Sequence, residues 1–255
     1  MCSPTAVTAS RRPTVISCAP VIKSDCRCTD SLRTFRRTRQ AGEDKAVTTT
    51  LYTKLVLFLV ALLSTVPDTL AEPADAQLLD ALRHGGYTLY FRHAPTEWSQ
   101  QDRVRTLTDC ASCDPQRTRQ LAESGRALAE QIGATIRRLR IPVGEVWASE
   151  YCRTTETARL LNLGDVRTTR DVINARVAEL VGGREVLART ARKRLATAPA
   201  EGTNTVIVAH GNVFLLAAGT RPPELGAAVL RANGKGGFTV VRLLAPEEWA
   251  TLGDG

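Results

Sequence analysis

From about Glu72 onward, short apolar runs rich in β-branched and aromatic residues alternate with stretches of helical periodicity, and this alternation restricts the fold more than any other feature. The pattern predicts a helix over Ala74–Arg83 stopped by Gly85-Gly86, a strand over Tyr87–Arg92 and a polar loop from Ala94 to about Arg119. A long helix over Leu121–Leu139 follows, with Leu121, Leu128, Ile132, Ile136 and Leu139 on one face, and then a strand at Val143–Ala148. Further along come a helix at Cys152–Asn162, a weak strand at Val166–Ile173 and a helix at Arg184–Ala198. A buried strand is expected at Thr205–Ala209 and a late one at Gly237–Leu244, after the glycine-rich turn Asn233–Gly237. No internal repeat is present. The expected fold class is α/β: a three-layer sandwich with a mostly parallel central sheet and helices on both faces.

A net charge of +8 points first to a nucleic-acid or membrane-surface partner. Its distribution argues otherwise. Residues 1–54 hold 10 Lys/Arg against 4 Asp/Glu, whereas residues 55–255 hold 24 against 22. Beyond the tail there is no basic stripe with interleaved aromatics, so no nucleic-acid partner is expected. The apolar run Leu55–Val66 is too short for a bilayer span of about 20 residues and suits the core of a signal peptide. Lys54 precedes it, Pro67 ends it, and Ala71 offers a small residue for cleavage. The expected organisation is therefore residues 1–46 as a disordered extension or sequence upstream of the true start, with translation then beginning near Val47 or Leu51. Residues 47–71 follow as signal peptide and 72–255 as the folded domain. The mature protein is expected in the periplasm or secreted, with no stable membrane insertion after cleavage.

Only three histidines occur, and two of them, His93 and His210, directly follow expected strands. In an open α/β sheet, ligands bind beyond the carboxyl ends of the strands, so both can reach one pocket. His84 stands at a helix end beside Gly85-Gly86, where capping is the expected role. Arg92 adjoins His93, and Arg153 follows the Val143–Ala148 strand. Two guanidinium groups and two imidazoles suit a phosphate dianion: guanidinium binds it through paired hydrogen bonds, and imidazole can attack phosphorus and later release it.

These residues lie in three segments. Arg92-His93-Ala94-Pro95-Thr96-Glu97-Trp98 resembles the Arg-His-Gly-x-Thr-x-Trp box of the histidine phosphatase superfamily, also called phosphoglycerate-mutase-like. Ser149-Glu150-Tyr151-Cys152-Arg153-Thr154-Thr155-Glu156-Thr157-Ala158 is similar to its Ser-x-x-x-Arg-x-x-x-Thr-Ala box, and His210-Gly211-Asn212 to its second His-Gly box. Leu121-Ala122-Glu123-Ser124-Gly125-Arg126 resembles a helix start of the same family, and the likeness runs from about Leu78 to Trp249. The resemblance implies a phosphorylated His93, with Arg92, Arg153 and His210 holding the phosphoryl oxygens, and neither metal nor cofactor. Ala94 replaces the family's usual Gly and Ser99 stands where mutase-like members often carry Asn; both departures favour a phosphatase over a mutase.

Within the family the proton donor is a carboxylate between the second and third boxes, a segment that here offers Asp165, Asp171, Glu179 and Glu185. Glu179 is favoured because it precedes the glycine pair Gly182-Gly183, with Asp171 second. Of the seven cysteines, Cys110, Cys113 and Cys152 fall in the mature region, and a bridge from Cys152 to Cys110 or Cys113 is expected after export. The function expected is hydrolysis of a small or cell-envelope phosphomonoester of the histidine acid phosphatase type. The alternatives are a mutase-like phosphotransferase, a phosphohistidine phosphatase, or an inactive binding protein of the same fold. Substrate identity and oligomeric state have no readable signal.

Overall fold

The computed structural model describes residues 75–252, so the expected extension and signal segment lie outside the described residues. Six strands form one sheet: β1 (Tyr87–Arg92), β2 (Val143–Ser149), β3 (Val166–Thr169), β4 (Asn204–Ala209), β5 (Ala227–Ala232) and β6 (Phe238–Leu244), in the spatial order β3-β2-β4-β1-β5-β6. The first four in that order are parallel, and β5 and β6 continue the sheet antiparallel beyond β1. Helices cover both faces, as the alternating pattern requires.

The strand period of two decides which layer each side chain enters. Leu89, Phe91, Val206 and Val208 point to one face. There they pack with Leu78 and Leu82 of α1 (Asp75–His84), Ile132 and Ile136 of α2 (Glu123–Arg138), and Ala158 and Leu161 of α3 (Cys152–Leu161). Trp249 of the short α6 (Glu248–Thr251) stacks on Phe91 with ring centroids 5.6 Å apart, and cutting Phe91 to Ala costs about 3–5 kcal/mol. Tyr90, Ile207 and Ala209 point to the opposite face, against Leu187, Ala191 and Leu195 of α4 (Arg184–Leu195) and Val213 and Phe214 of α5 (Gly211–Ala218).

Two glycines set how close the elements come. Gly133 lets the carbonyl of Leu161 approach α2, where a methyl group would collide with it, so α2 and α3 pack backbone to backbone. Gly125 does the same for the carbonyl of Pro95, which also accepts the Ala122 N–H at 3.0 Å, and thereby anchors the chain just after His93.

The structure shortens some expected elements and adds others. The long helix begins at Glu123, because Leu121 pairs with Thr96 in an isolated bridge. The weak strand ends at Thr169, where Arg170 turns to pair with Glu150, and a short 3-10 helix Ala175–Val181 follows Asn174. Helix α5 and strand β5 carried no helical or alternating pattern; each is a run apolar on nearly all sides, whose type periodicity does not reveal.

Candidate active site

The sheet register builds the site. Arg92 of β1 is level with Ala209 of β4, so the residues that follow, His93 and His210, leave the sheet together at its carboxyl edge. The His93 N–H donates to Ala209 O at 2.9 Å, and the two imidazoles meet edge to face with centroids 5.5 Å apart. One strand further along, β2 ends at Ser149, and Arg153 lies in the first turn of α3. The three sequence boxes thus converge on the ends of three adjacent parallel strands.

His93 is buried, and its Nδ1 lies 2.9 Å from the carbonyl of Ala94. A carbonyl only accepts, so Nδ1 carries the proton and Nε2 keeps the lone pair. His210 is fixed through both nitrogens. Asn174 Oδ1 accepts from the Arg176 N–H and from Asn212 Nδ2, which turns Asn174 Nδ2 toward His210 Nδ1 at 3.3 Å. His210 Nδ1 therefore accepts, and Nε2–H donates to Ser149 Oγ at 3.0 Å. Tyr90 clamps the same residue by donating its phenol to His210 O and accepting the His210 N–H. Burial, reinforced by the Arg153 charge, holds both imidazoles well below their ordinary pKa, so both are neutral near pH 7.

Arg153 is 1% exposed and is met end-on by Asp102, with Nη1 to Oδ1 at 2.9 Å and Nη2 to Oδ2 at 3.1 Å. Its Nε–H is buried with no acceptor among the described residues, and its guanidinium lies 4.4 Å over the Tyr151 ring. Arg92 pairs with Glu224 at 2.9 Å. Gly211 opens α5 beside the Arg92 side chain, and a Cβ there would come within 3.1 Å of Arg92 Cδ. The α5 N-terminus thus lies at the same strand edge as the imidazoles, where helix N-termini favour anions.

Arg92, His93, Asp102, Asn174 and His210 line one cavity of about 270 Å³. The structure thus brings together Arg92, His93 and His210 around a single space, with Arg153 behind it through Asp102. It does not bring in the expected proton donors. Glu179 is exposed on the Ala175–Val181 turn beside Gly183, and Asp171 is bound to Arg194 at 2.6 Å; neither lines the cavity. The one carboxylate among the described residues that does is Asp102, from the loop after the first box rather than from the segment between the second and third. Asn174, a lone Asn between a strand and a turn, carries no sequence signal, and Ser149 belongs to the second box.

The bridge is Cys113–Cys152, which ties the long loop to the residue before Arg153, while Cys110 is free and buried. His84 caps α1, its Nδ1 lying 2.8 Å from Asp80 O. Among the described residues no group of His, Cys, Asp and Glu side chains is placed to hold a metal ion, and no helix is long and apolar enough to cross a membrane.

No curated protein matches the chain. Among solved structures it is similar to the protein histidine phosphatase SixA complexed with tungstate, at 11% identity, covering 64% of this chain and 98% of that one, with a TM-score of 0.43. It is also similar to a mycobacterial glucosyl-3-phosphoglycerate phosphatase at 17% identity, 57% and 90% coverage and a TM-score of 0.41. A third similar structure is the Thermus thermophilus protein TTHB049, at 18% identity, 62% and 99% coverage and a TM-score of 0.41. Residues 89–184, which include Arg92, His93 and Arg153, are similar to the histidine phosphatase superfamily (branch 1).

Proposed function

We propose that this protein is an exported phosphomonoester hydrolase in which His93 is phosphorylated and then hydrolysed. The observation that carries the reading is the hydrogen bond from His93 Nδ1–H to Ala94 O, which leaves Nε2 as a fixed, neutral nucleophile in a cavity lined by Arg92 and His210. In the first step Nε2 attacks phosphorus, the ester P–O bond breaks, and the leaving oxygen takes its proton from solvent water at the mouth of the cavity. In the second, water attacks phosphorus, the P–N bond breaks, and inorganic phosphate and neutral His93 remain. Arg92, Arg153 and the α5 N-terminus offset the charge spread over the phosphoryl oxygens in both transfers.

Asp102 is the carboxylate placed to handle protons. Both of its oxygens face Arg153 as hydrogen-bond acceptors, an arrangement that suits it to take a proton from the attacking water better than to give one to a leaving alkoxide. This favours a second reading, hydrolysis of phosphohistidine, whose imidazole leaves neutral when its other ring nitrogen is protonated and then needs no donor.

Export is supported by the Leu55–Val66 run and by the Cys113–Cys152 bridge, since such bridges persist in oxidising compartments. The substrate is then a small or cell-envelope phosphomonoester. The test is turnover of p-nitrophenyl phosphate by the purified protein and by His93→Ala, together with fractionation. Wild-type turnover absent from His93→Ala supports the reading; equal rates refute the nucleophile, and full-length protein found only in the cytoplasm refutes export.

A further inference from the structure

Charge around the cavity exceeds what one phosphoryl group needs. Arg92 and Arg153 are each matched by a carboxylate, Glu224 and Asp102, whereas Arg119, Arg176 and Arg221 line the same cavity with no carboxylate within ion-pair distance among the described residues. The cavity adjoins a second hollow of about 290 Å³, the two sharing Trp98, Asp102, Arg119 and Arg176; Gln100 and Gln101 complete the second. The only carboxylate in this second lobe is already engaged, accepting from both Arg153 terminal nitrogens and from the Arg119 backbone N–H at 3.0 Å.

Arg119 lies 4.4 Å over the Trp98 ring, its Nε–H is buried with no acceptor among the described residues, and its charge is set against those of Arg153 and Arg176. Like charges held together in a half-buried cleft cost folding free energy, and a bound anion relieves that cost. Trp98 is 71% exposed, the most open of the large apolar side chains on the described surface, so its ring is available as a wall for a ligand.

We propose that this second lobe is a subsite for a second anionic group, so that the protein takes bis-anionic phosphomonoesters. The phosphoryl group sits at His93, a carboxylate or second phosphate is held by Arg119 and Arg176, and the carbon skeleton lies against Trp98. The proposal rests on the reading of His93 as the phosphoryl site and adds the substrate class to it. The guanidinium fork binds either anion through paired hydrogen bonds, so carboxylate and phosphate are distinguished by experiment.

The test is calorimetric titration of the full chain carrying His93→Ala, which removes turnover and leaves the lobe intact. Three probes are compared: glucose 6-phosphate, 6-phosphogluconate, which adds one carboxylate, and glucose 1,6-bisphosphate, which adds one phosphate. At least one bis-anion binds about tenfold tighter than glucose 6-phosphate, with a preference that shrinks as salt is added, and Arg176→Ala and Arg119→Ala each reduce that preference threefold or more. Equal affinity for all three probes, no measurable binding of either bis-anion, or a preference unchanged in both arginine variants overturns the subsite. Turnover of p-nitrophenyl phosphate by the wild-type chain reports separately on His93: its absence, with the binding preference intact, removes the hydrolase reading and leaves the subsite standing.

Discussion

Asp102 and Arg153 meet end-on, two oxygens to two nitrogens, with the guanidinium 1% exposed and the carboxylate beside the cavity. A buried pair of this kind costs more to break than it contributes when intact, because removing one partner strands the other's charge. Asp102→Ala therefore destabilises the protein by about 3 kcal/mol in denaturant titration. Inorganic phosphate at millimolar concentration restores part of the loss by binding the stranded guanidinium and the cavity. A loss below about 0.5 kcal/mol would place the pair among weak surface contacts.

On the proposed mechanism, Arg153→Ala removes the positive charge behind Asp102 that offsets the charge spread over the phosphoryl oxygens. Its kcat falls roughly a hundredfold or more, with a smaller change in KM, in steady-state assays on p-nitrophenyl phosphate. A change confined to KM contradicts a role in the transition state.

The depressed imidazoles make stability depend on pH. In the folded chain His93 and His210 stay neutral well below 6.5, whereas in the unfolded chain they take up protons near that value. The unfolded state then binds more protons, so stability falls as pH drops below about 6.5, by up to about 1.4 kcal/mol per pH unit for each imidazole. Urea titrations between pH 7.5 and 5.5 measure the slope, and His93→Gln and His210→Asn each flatten it. An unchanged slope in both variants contradicts the assignment.

Much of the sheet is legible because β1 and β4 are short runs rich in β-branched and aromatic residues that each end directly before a histidine, and a strand end is where an α/β protein places its ligand. The meeting of Arg92, His93 and His210 at one edge of the sheet is legible for that reason. Asp102 is not, because it sits in a polar loop whose path is set by distant contacts: Asp102 to the Arg119 N–H, Gln100 to the Gln120 N–H, and Cys113 to Cys152. Spacing cannot encode such closures. The same limit applies to Glu179: its neighbouring glycines suggest a loop over the pocket, whereas the 3-10 turn that carries it leaves it exposed and outside the cavity lining.

Leaving-group dependence separates the two carboxylates. Glu179→Gln leaves kcat/KM for alkyl and aryl phosphates within about twofold, as expected of an exposed charge outside the cavity. Asp102→Asn slows both classes, and most strongly the release of phosphate from the phosphoenzyme, read as a larger pre-steady-state burst. A selective loss on alkyl phosphates in Glu179→Gln reinstates Glu179 as the proton donor.

The bridge predicts sensitivity to reductant. Cys113 and Cys152 are 39 residues apart, and opening a loop of that length costs about 3–4 kcal/mol by the chain-entropy relation. Dithiothreitol lowers Tm and weakens substrate binding, since the bridge anchors the Asp102 loop next to Arg153. Thiol counting on the oxidised mature protein finds Cys110 alone free; three free thiols contradict the pairing.

The most direct test of the account is the covalent adduct. Mixing the wild-type protein with 32P-labelled p-nitrophenyl phosphate, quenching rapidly in alkali and mapping peptides yields label on the His93 peptide, stable to base and lost in acid, and absent from His93→Ala. Turnover by the wild-type protein with no label on that peptide, and a retained rate in His93→Ala, contradict the phosphohistidine mechanism.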